Sequence, residues 1–136
     1  MKISLDTGAI APTRSHDTDA GLDIYARRTR IVKAGRSMTF HTGVHVELPK
    51  GTCGLLVSKS GLNTKHGLTS TGLIDEGYSG EIVVKLYNHS RYDYKVNAGE
   101  KISQLVVVPI LFPKVEIVSH VSGGDRGGRG FGSTGR

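Results

Sequence analysis

The chain has 136 residues with a formal net charge of +6, a single cysteine and no tryptophan. Its length fits one domain, and one cysteine excludes a disulfide within the chain. The positive charge favours an anionic partner, either a phosphorylated small molecule or a nucleic acid, and does not choose between them. An apolar content of 37% is low for so small a globule, which favours further burial between subunits.

Strand patterns account for most of the chain. Residues 5–14 predict a first strand, and between residues 38 and 48 apolar and polar side chains alternate with the period of two typical of a half-buried strand. Further β-branched or aliphatic runs lie at residues 55–57, 82–86, 105–111 and 115–121. Turn signals separate these runs, and a single helical turn fits around residues 62–66. Many short strands with regular turns predict an all-β fold, a sandwich or jelly-roll-like β-barrel.

The glycine-rich end of the chain differs in composition from the rest. We predict a β domain over residues 1–121 and a flexible arm over residues 122–136, since a segment so rich in glycine orders only when something holds it. No apolar run reaches membrane-spanning length, and the start of the chain lacks the pattern of a signal peptide. These observations predict a protein without a membrane contact and with a cytoplasmic location.

Five short motifs follow one another along the chain. They are residues 19–24 (DAGLDI), 58–62 (SKSGL), 72–81 (GLIDEGYSGE), 97–105 (NAGEKISQL) and 125–135 (DRGGRGFGSTG). Each one alone is weak, since a turn with one aspartate is common. All five in this order resemble the trimeric deoxyuridine triphosphate nucleotidohydrolases, the dUTPases. The resemblance implies a jelly-roll homotrimer, which agrees with the strand pattern.

The third motif carries the reaction in that family. By resemblance, Asp75 is the catalytic residue, a general base that orients a water against the α-phosphorus of dUTP. Tyr78 packs on the deoxyribose and leaves no room for a ribose 2′-hydroxyl. The uracil ring is read by backbone groups of the hairpin, which the resemblance assigns to Gly72, Leu73, Ile74 and Val83.

The first, second and fourth motifs imply a site for the phosphates and for magnesium. Asp23 would hold a water on a Mg²⁺ ion, which keeps several waters and needs only one or two carboxylates. Ser60 would contact the oxygen next to the scissile bond, and Gly61 and Gln104 belong to the same substrate site. Lys59 stands where the family commonly has arginine, and it supplies a point charge without the planar fork.

The fifth motif implies a lid over the bound substrate. By resemblance, Arg126 contacts the γ-phosphate and Phe131 closes over the uracil ring. Gly132, Ser133 and Thr134 bring backbone N–H groups to the phosphates, because glycines permit close approach. The arm would therefore become ordered when substrate binds.

Together these roles imply a dUTP diphosphatase that uses Mg²⁺ to convert dUTP to dUMP and pyrophosphate. This reaction limits uracil incorporation into DNA and supplies dUMP for dTMP synthesis. In the family each site is shared, with the hairpin from one subunit, the phosphate motifs from a second and the arm from a third. The expected partners are therefore dUTP and further copies of the same chain, and no stable nucleic-acid complex is expected.

Two features of the sequence also suggest other kinds of site. Arg126, Arg129 and Phe131 resemble one unit of an RNA-binding Arg-Gly segment, but such segments usually repeat and this one occurs once. His41 and His45 form an H-x3-H pair, which a regular strand would hold about 13 Å apart. One metal ion cannot bridge that distance, so we predict a solvated strand face and no zinc site.

Two alternative functions share the resemblance. The dCTP deaminases have the same fold and a similar third motif, but they need a glutamate as general base in the following strand. Aligned on the third motif, this chain has Lys85 there, and a lysine cannot replace that carboxylate. A non-catalytic trimer that binds a protein partner is the other alternative, and no feature of the sequence specifies such a partner.

Overall fold

The computed structural model describes residues 1–124 and 127–128, and strands dominate them. In chain order the elements are β1 (Lys2–Leu5), β2 (Gly21–Tyr25), β3 (Arg30–Val32), β4 (Ser37–Glu47), β5 (Thr52–Ser58), α1 (Ser60–His66), β6 (Leu68–Thr69), β7 (Thr71–Ile74), β8 (Glu81–Asn88), β9 (Tyr94–Val96) and β10 (Lys101–Pro109). The prediction of an all-β fold is confirmed. Among these residues, no helix has both the length and the apolar character to cross a membrane.

Two four-stranded antiparallel sheets form the body of the fold. The first has the strand order β1-β4-β8-β6 and the second β2-β10-β5-β7, while β3 and β9 form a small separate pair. Aliphatic side chains of both sheets meet in one buried core. Its fully buried members include Ile24, Val44, Leu68, Ile82, Val84, Leu86, Ile102 and Leu105. The apolar runs that predicted strands therefore also hold the two sheets together.

Strand β8 shows how the alternating pattern specifies the fold. Ile82, Val84 and Leu86 are buried in the core, whereas Val83 and Lys85 are exposed on the outer face. Successive side chains of a strand point to opposite faces, so one apolar residue in two suffices to bury one face. The Lys85 ammonium lies outside, 5.3 Å from the centre of the Tyr87 ring.

The first strand lies earlier than predicted. Residues 5–14 do not form a strand; instead β1 pairs with the end of β4, with Leu5 opposite Val44. Ala9 then donates its N–H to the Asp6 carbonyl at 3.0 Å, and Gly8 adopts a φ of 77°. A left-handed glycine of this kind turns the chain out of the strand direction.

The strand predicted at residues 115–121 is also wrong for the single chain. β10 ends at Pro109, and the side chains of Val115 and Ile117 are 90% and 95% exposed. β-Branched residues favour a strand where a neighbouring strand packs against them. Within the described residues of this chain, no strand pairs with this segment.

The helix is longer than the single predicted turn. α1 follows β5 after one residue, and its only buried side chain is that of Leu62. The helix ends at Gly67, whose φ is 67° and whose N–H donates to the Asn63 carbonyl at 2.9 Å. A left-handed glycine at this position is a common helix stop. The second motif therefore lies at a junction between a strand and a short helix.

Candidate active site

The register of the second sheet brings the first and fourth motifs side by side. Asp23 of β2 lies directly opposite Gln104 of β10, and Gln104 lies directly opposite Val57 of β5. Residues directly opposite each other in antiparallel strands point to the same face, with Cβ atoms about 4.5–5.5 Å apart. The second motif starts at the residue after Val57. Three motifs that are distant in sequence are therefore neighbours at one end of this sheet.

Asp23 lies between two lysines, and we call these three residues the Asp23 cluster. The Lys59 ammonium is 2.7 Å from Oδ1, and the Lys101 ammonium is 2.7 Å from Oδ2. The Asp23 side chain is only 4% exposed. Burial by itself raises the pKa of this carboxyl, but the hydrogen bonds from Lys101 and Lys59 outweigh it, so the pKa of Asp23 lies below its ordinary value.

Lys101 is a member of the cluster that the sequence analysis missed. Its hydrogen bond to Asp23 raises the pKa of the lysine, and its ammonium also donates to the Ser15 hydroxyl at 3.1 Å. The fourth motif contains this residue, directly after Glu100. The available signal was a basic residue three positions before Gln104, which was predicted to bind substrate, and only the register shows which carboxylate Lys101 meets.

The predicted phosphate-binding residues at the start of α1 are accessible. Ser60 is exposed, and its carbonyl accepts a hydrogen bond from the Thr64 hydroxyl at 2.7 Å. Gly61 faces open space, since a Cβ placed there would meet no atom within 4 Å. Gln104 is half-buried on the face that carries Asp23. The single chain thus leaves room for a phosphate group beside these residues.

The third motif forms the turn between β7 and β8. Tyr78 donates its N–H to the Asp75 carbonyl at 3.1 Å, and Gly77 between them has a φ of 84°. The Glu76 carboxylate accepts the Gly51 N–H at 2.7 Å, which ties the turn to the start of β5. Asp75 itself is exposed. The turn therefore presents a carboxylate to solvent from an anchored backbone.

Tyr78 lies back over its own hairpin. Its hydroxyl donates to the Glu81 carbonyl at 3.1 Å, and its side chain covers Gly80. A Cβ at position 80 would overlap the Tyr78 hydroxyl oxygen, so only glycine leaves space for the ring in this position. The residue remains 46% exposed, which leaves ring surface free for a ligand.

The residues predicted to read uracil differ in where their side chains point. Ile74 is buried in the core, whereas Leu73 is 61% exposed. A Cβ on Gly72 would lie 3.1 Å from Leu56, so the backbone at this position is closely packed. Val83 is exposed on the outer face of β8. Recognition through backbone groups is compatible with this arrangement and remains a prediction.

The hairpin and the Asp23 cluster lie at opposite ends of β5. Gly54 pairs with Ile74, which places Asp75 beside the start of the strand, whereas Ser58 ends it next to Lys59. The five residue steps of β5 from position 53, beside Asp75, to position 58 span about 17 Å at 3.4 Å per residue. The α- and β-phosphates of one nucleotide cannot reach both sites on the same chain.

The structure gives the two histidines of β4 separate partners. His41 Nδ1 lies 2.7 Å from the Glu81 carboxylate, and His45 Nδ1 lies 2.9 Å from the Ser79 carbonyl. Within residues 1–124 and 127–128, no group of three or more His, Cys, Asp or Glu side chains could hold a metal ion. The strand also bulges between these histidines, so the regular spacing assumed for them is wrong.

The predicted lid residues lie outside the described part of the chain. They are Arg126, Phe131, Gly132, Ser133 and Thr134, together with Arg129 of the alternative RNA-binding interpretation. Their roles stay predictions.

Comparisons with known proteins point in one direction. The dUTPase family model matches residues 7–135. A deoxyuridine 5'-triphosphate nucleotidohydrolase from Clostridium acetobutylicum is 46% identical over 134 residues, which cover 96% of this chain and 92% of that protein. The enzyme of the same name from Crocosphaera subtropica is 42% identical over 136 residues, covering 98% and 96%.

Solved structures show the same similarity. The dUTPase of Staphylococcus bacteriophage 80alpha with dUPNHPP has a TM-score of 0.92 and 33% identity, covering 99% of this chain and 98% of that one. A mutant dUTPase from phage phi11 of S. aureus, described for the coordination of a structural Mg(II) ion, has a TM-score of 0.81 and 31% identity, covering 88% and 96%.

Proposed function

This chain belongs to the dUTPase family, from which we infer that it is a hydrolase of dUTP, and we propose that its products are dUMP and pyrophosphate. One observation carries the mechanism. An exposed carboxylate beside a tyrosine, at one end of β5, is about 17 Å from a cation-rich cluster at the other end. The carboxylate has the chemistry to activate a water for attack on a phosphorus atom, and the cluster has the charge to bind phosphates.

Asp75 acts as the general base. Its carboxylate accepts a proton from a water, whose oxygen forms a new bond to the α-phosphorus. The bond from the α-phosphorus to the oxygen that bridges to the β-phosphate breaks, and pyrophosphate leaves with that bridging oxygen. The exposed Asp75 side chain meets solvent directly, so it is positioned to orient a water.

Tyr78 supplies selectivity for the sugar. Its ring lies over Gly80 and is fixed by the bond from its hydroxyl to the Glu81 carbonyl. A deoxyribose packs against the free face of the ring, whereas a 2′-hydroxyl would be crowded against it without a hydrogen-bond partner. Backbone groups of Gly72, Leu73, Ile74 and Val83 then read the uracil edge.

The Asp23 cluster and its neighbours neutralise the phosphates. Lys59 at the junction of β5 and α1 is 24% exposed, and Lys101 is 39% exposed, so both ammonium groups have access to an anion. Ser60, Gly61 and Gln104 border the same region and complete the phosphate site. Positioning and charge neutralisation are the main requirements of phosphoryl transfer, and these side chains provide both.

Magnesium fits this cluster through water rather than by direct ligation. Both oxygens of Asp23 already accept hydrogen bonds from lysines, so a direct metal bond would displace an ammonium group. A carboxylate has about four lone-pair sites, which leaves room for a bond from a metal-bound water. Asp23 would hold that water, and the bound ion would add positive charge beside the phosphates.

The shared site requires more than one copy of the chain. Because Asp75 and Lys59 are too far apart on one chain, a second subunit must bring its phosphate motifs to the hairpin of the first. Exposed apolar side chains near the end of the described chain are available for burial between subunits, and they include Leu111, Phe112, Val115, Ile117 and Val121. A cyclic homotrimer with three such sites follows from the family.

The arm at residues 122–136 completes the proposed site from a third subunit. Arg126 would bind the γ-phosphate, Phe131 would cover the uracil, and Gly132, Ser133 and Thr134 would surround the phosphates. The division at residue 121 is part of this proposal, and so is the cytoplasmic location expected from the sequence.

Pyrophosphate release with Mg²⁺ from dUTP, dCTP, dTTP and UTP, measured in parallel, tests the proposal. Turnover of dUTP alone is the expected result. Activity on none of the four would contradict the proposed reaction and favour a non-catalytic trimer that binds a protein partner. Equal activity on all four would contradict the roles given to the hairpin and to Tyr78.

The dCTP deaminase alternative has its own assay. We expect no ammonia release from dCTP, because the outer face of β8 carries Lys85 where a deaminase needs a glutamate. Ammonia release in the absence of pyrophosphate release would overturn the proposed reaction.

A further inference from the structure

A β-bulge lies beneath the hairpin that carries Tyr78. The register between β4 and β8 shifts between His41 and His45. Gly43 within it has a φ of 68°, and a Cβ there would lie 2.9 Å from Ala9. A bulge disrupts the ladder of backbone hydrogen bonds, so polar side chains must satisfy the groups that it leaves over.

Glu81, the first residue of β8, fills the bulge. One carboxylate oxygen accepts the Gly43 N–H at 2.7 Å, and the other lies 2.7 Å from His41 Nδ1. Burial raises the pKa of Glu81, but the bonds from His41 and Gly43 outweigh it and lower the pKa below its ordinary value. Glu81 is therefore a charged anchor between the two strands.

His45 makes a second connection to the same segment. Its Nδ1 lies 2.9 Å from the Ser79 carbonyl, which can only accept a hydrogen bond, so Nδ1 carries the proton. Its Nε2 lies 3.3 Å from a carboxylate oxygen of Asp6. The Ser79 carbonyl is the main cause that raises the pKa of His45, and Asp6 and Glu81 add to it against the effect of burial.

These bonds act on the residues around Tyr78. Ser79 directly follows Tyr78, and the Glu81 carbonyl accepts a hydrogen bond from the Tyr78 hydroxyl at 3.1 Å. The two residues on either side of Gly80 are thus held to β4, one by His45 and the other by its own side chain. A displacement of this segment would move the tyrosine ring with it.

We propose that His45 is a positioning residue for sugar selection, because its bond to the Ser79 carbonyl fixes the segment on which Tyr78 lies. In this proposal His45 acts through Ser79 and not by its own contact with the substrate. The inference rests on the proposed function, since it concerns the discrimination of dUTP from UTP. We call the bonds from His45 to Ser79 and Asp6 the His45 clasp. Misplacement of a contact by about 1 Å can cost as much as 10²-fold in rate, so the loss of this clasp has a measurable effect.

The clasp depends on pH. The charged and titratable groups around His45 are Asp6 after β1, Glu81 on β8, His41 on its own strand, and Arg27, whose guanidinium is 4.0 Å from Asp6. Lys2 and Glu47 line a surface groove together with His45 and Ser79. Protonated His45 donates to both Ser79 and Asp6. The neutral ring keeps its Nδ1–H bond to Ser79, but a lone pair of Nε2 then faces the Asp6 carboxylate, so the ring loses its second support.

The sign of the pH effect follows from the raised pKa. The contribution of the bond from Nε2 to Asp6, which supports the ring that Ser79 is bound to, is fully present below the ordinary pKa of 6.5 and is lost as the pH rises through the higher pKa of the folded state. Selectivity for dUTP over UTP should therefore fall on the alkaline side. The ratio of the two substrates cancels any pH effect on the chemical step that both share.

The first experiment compares kcat/KM for dUTP and UTP in three variants. His45→Leu should lower the ratio of the two roughly tenfold, whereas His45→Asn, whose amide can still donate to Ser79, should stay within about threefold of the wild-type protein. His89→Leu is the matched control, since His89 bonds Thr69 on the far strand of the same sheet. An unchanged ratio in His45→Leu would overturn the proposal.

The pH profile separates positioning from a general loss of stability. The dUTP-to-UTP ratio of the wild-type protein should decline as the pH rises above 6.5, and that of His45→Asn should be flat. A merely destabilised variant would lose active enzyme without any change in this ratio. Parallel profiles in the two proteins would contradict the clasp.

A measurement without turnover keeps the two proposals apart. In NMR spectra of the wild-type protein, His45 should titrate above 6.5, and the ring signals of Tyr78 should follow the same titration. If the protein shows no dUTP hydrolysis but these titrations coincide, the proposed function fails and the clasp stands. If Tyr78 does not respond to His45, the clasp fails, even where dUTP is hydrolysed or His45→Leu does not fold.

Discussion

The two aspartates at opposite ends of β5 have opposite surroundings. Asp23 is buried, and both of its oxygens are held by lysines. Asp75 is exposed, and the bond that anchors it is made by its backbone carbonyl. A carboxylate that organises cations gains from being paired in advance, whereas one that must take a proton from water has to stay open until substrate arrives. In the proposed mechanism, the carboxylate of the phosphate site is thus paired before substrate binds, whereas the hydrolytic carboxylate stays open until it does.

Removing the charge of Asp75 is the most severe way to break this contrast. Asp75→Asn should lower kcat for dUTP by about 10²- to 10⁴-fold, the usual contribution of a general base. Because the residue is exposed, the free energy of unfolding should change by no more than about 0.5 kcal/mol. Glu76→Gln in the same turn is the control, since its amide oxygen can still accept the Gly51 N–H. Retained hydrolysis in Asp75→Asn would remove Asp75 from the catalytic role.

Mixing subunits with complementary defects sharpens the same result. Asp75→Asn subunits have an intact phosphate half, and Lys59→Met/Gln104→Leu subunits have an intact hairpin. In randomly mixed cyclic trimers, about a quarter of the sites would combine the two intact halves. We expect activity to recover to about that fraction after the two proteins are unfolded and refolded together. No recovery would mean that one chain supplies both halves.

Asp23 should show the reverse balance, with a large effect on stability. Asp23→Asn leaves two lysines without their anion and should lower the free energy of unfolding by about 2–3 kcal/mol. Its pKa is lowered in the folded state, so this contribution is present above the ordinary value of 3.8 and is lost as the pH falls through the lower folded value. Chemical denaturation at neutral and at acidic pH measures both effects.

An exposed ion pair is the control for Asp23. Asp93 pairs with Lys33 at 2.7 Å, but its side chain is 46% exposed, so Asp93→Asn should cost less than about 1 kcal/mol. An equal decrease in the free energy of unfolding of Asp23→Asn and Asp93→Asn would show that burial does not make the Asp23 cluster more stabilising than an exposed ion pair.

The sequence predicted what depends on local pattern. An aliphatic run identified β8, alternation identified most of β4, and the motifs named Asp23 and Asp75 as residues of interest. It could not show that Lys101 meets Asp23, because that contact depends on the register of β10 against β2. Nor could it show the bulge at Gly43, where a left-handed residue shifts the pairing of a strand whose alternation continues on both sides.

The two wrong strands have a shared physical cause. Residues 5–14 and 115–121 both contain residues that favour strands, but a strand exists only where a neighbour completes its hydrogen bonds. In the first case a glycine turn ends the pairing after Leu5, and in the second no neighbouring strand is present among residues 1–124 and 127–128 of the single chain. Propensity predicted where a strand was possible, and tertiary pairing decided whether it formed.

The smallest expected effect concerns the lysine that stands where the family commonly has arginine. Lys59→Arg should keep KM for dUTP within about threefold, because a guanidinium can replace the ammonium both beside Asp23 and beside a phosphate. Lys59→Met should raise KM roughly tenfold, since it removes a charge-assisted bond to the substrate. Steady-state kinetics of the two variants distinguishes the need for a charge from the need for its shape. A rise in KM in Lys59→Arg as large as that in Lys59→Met would contradict this expectation. It would mean that the narrow space between Asp23 and Lys101, rather than the charge, determines which cation fits the cluster.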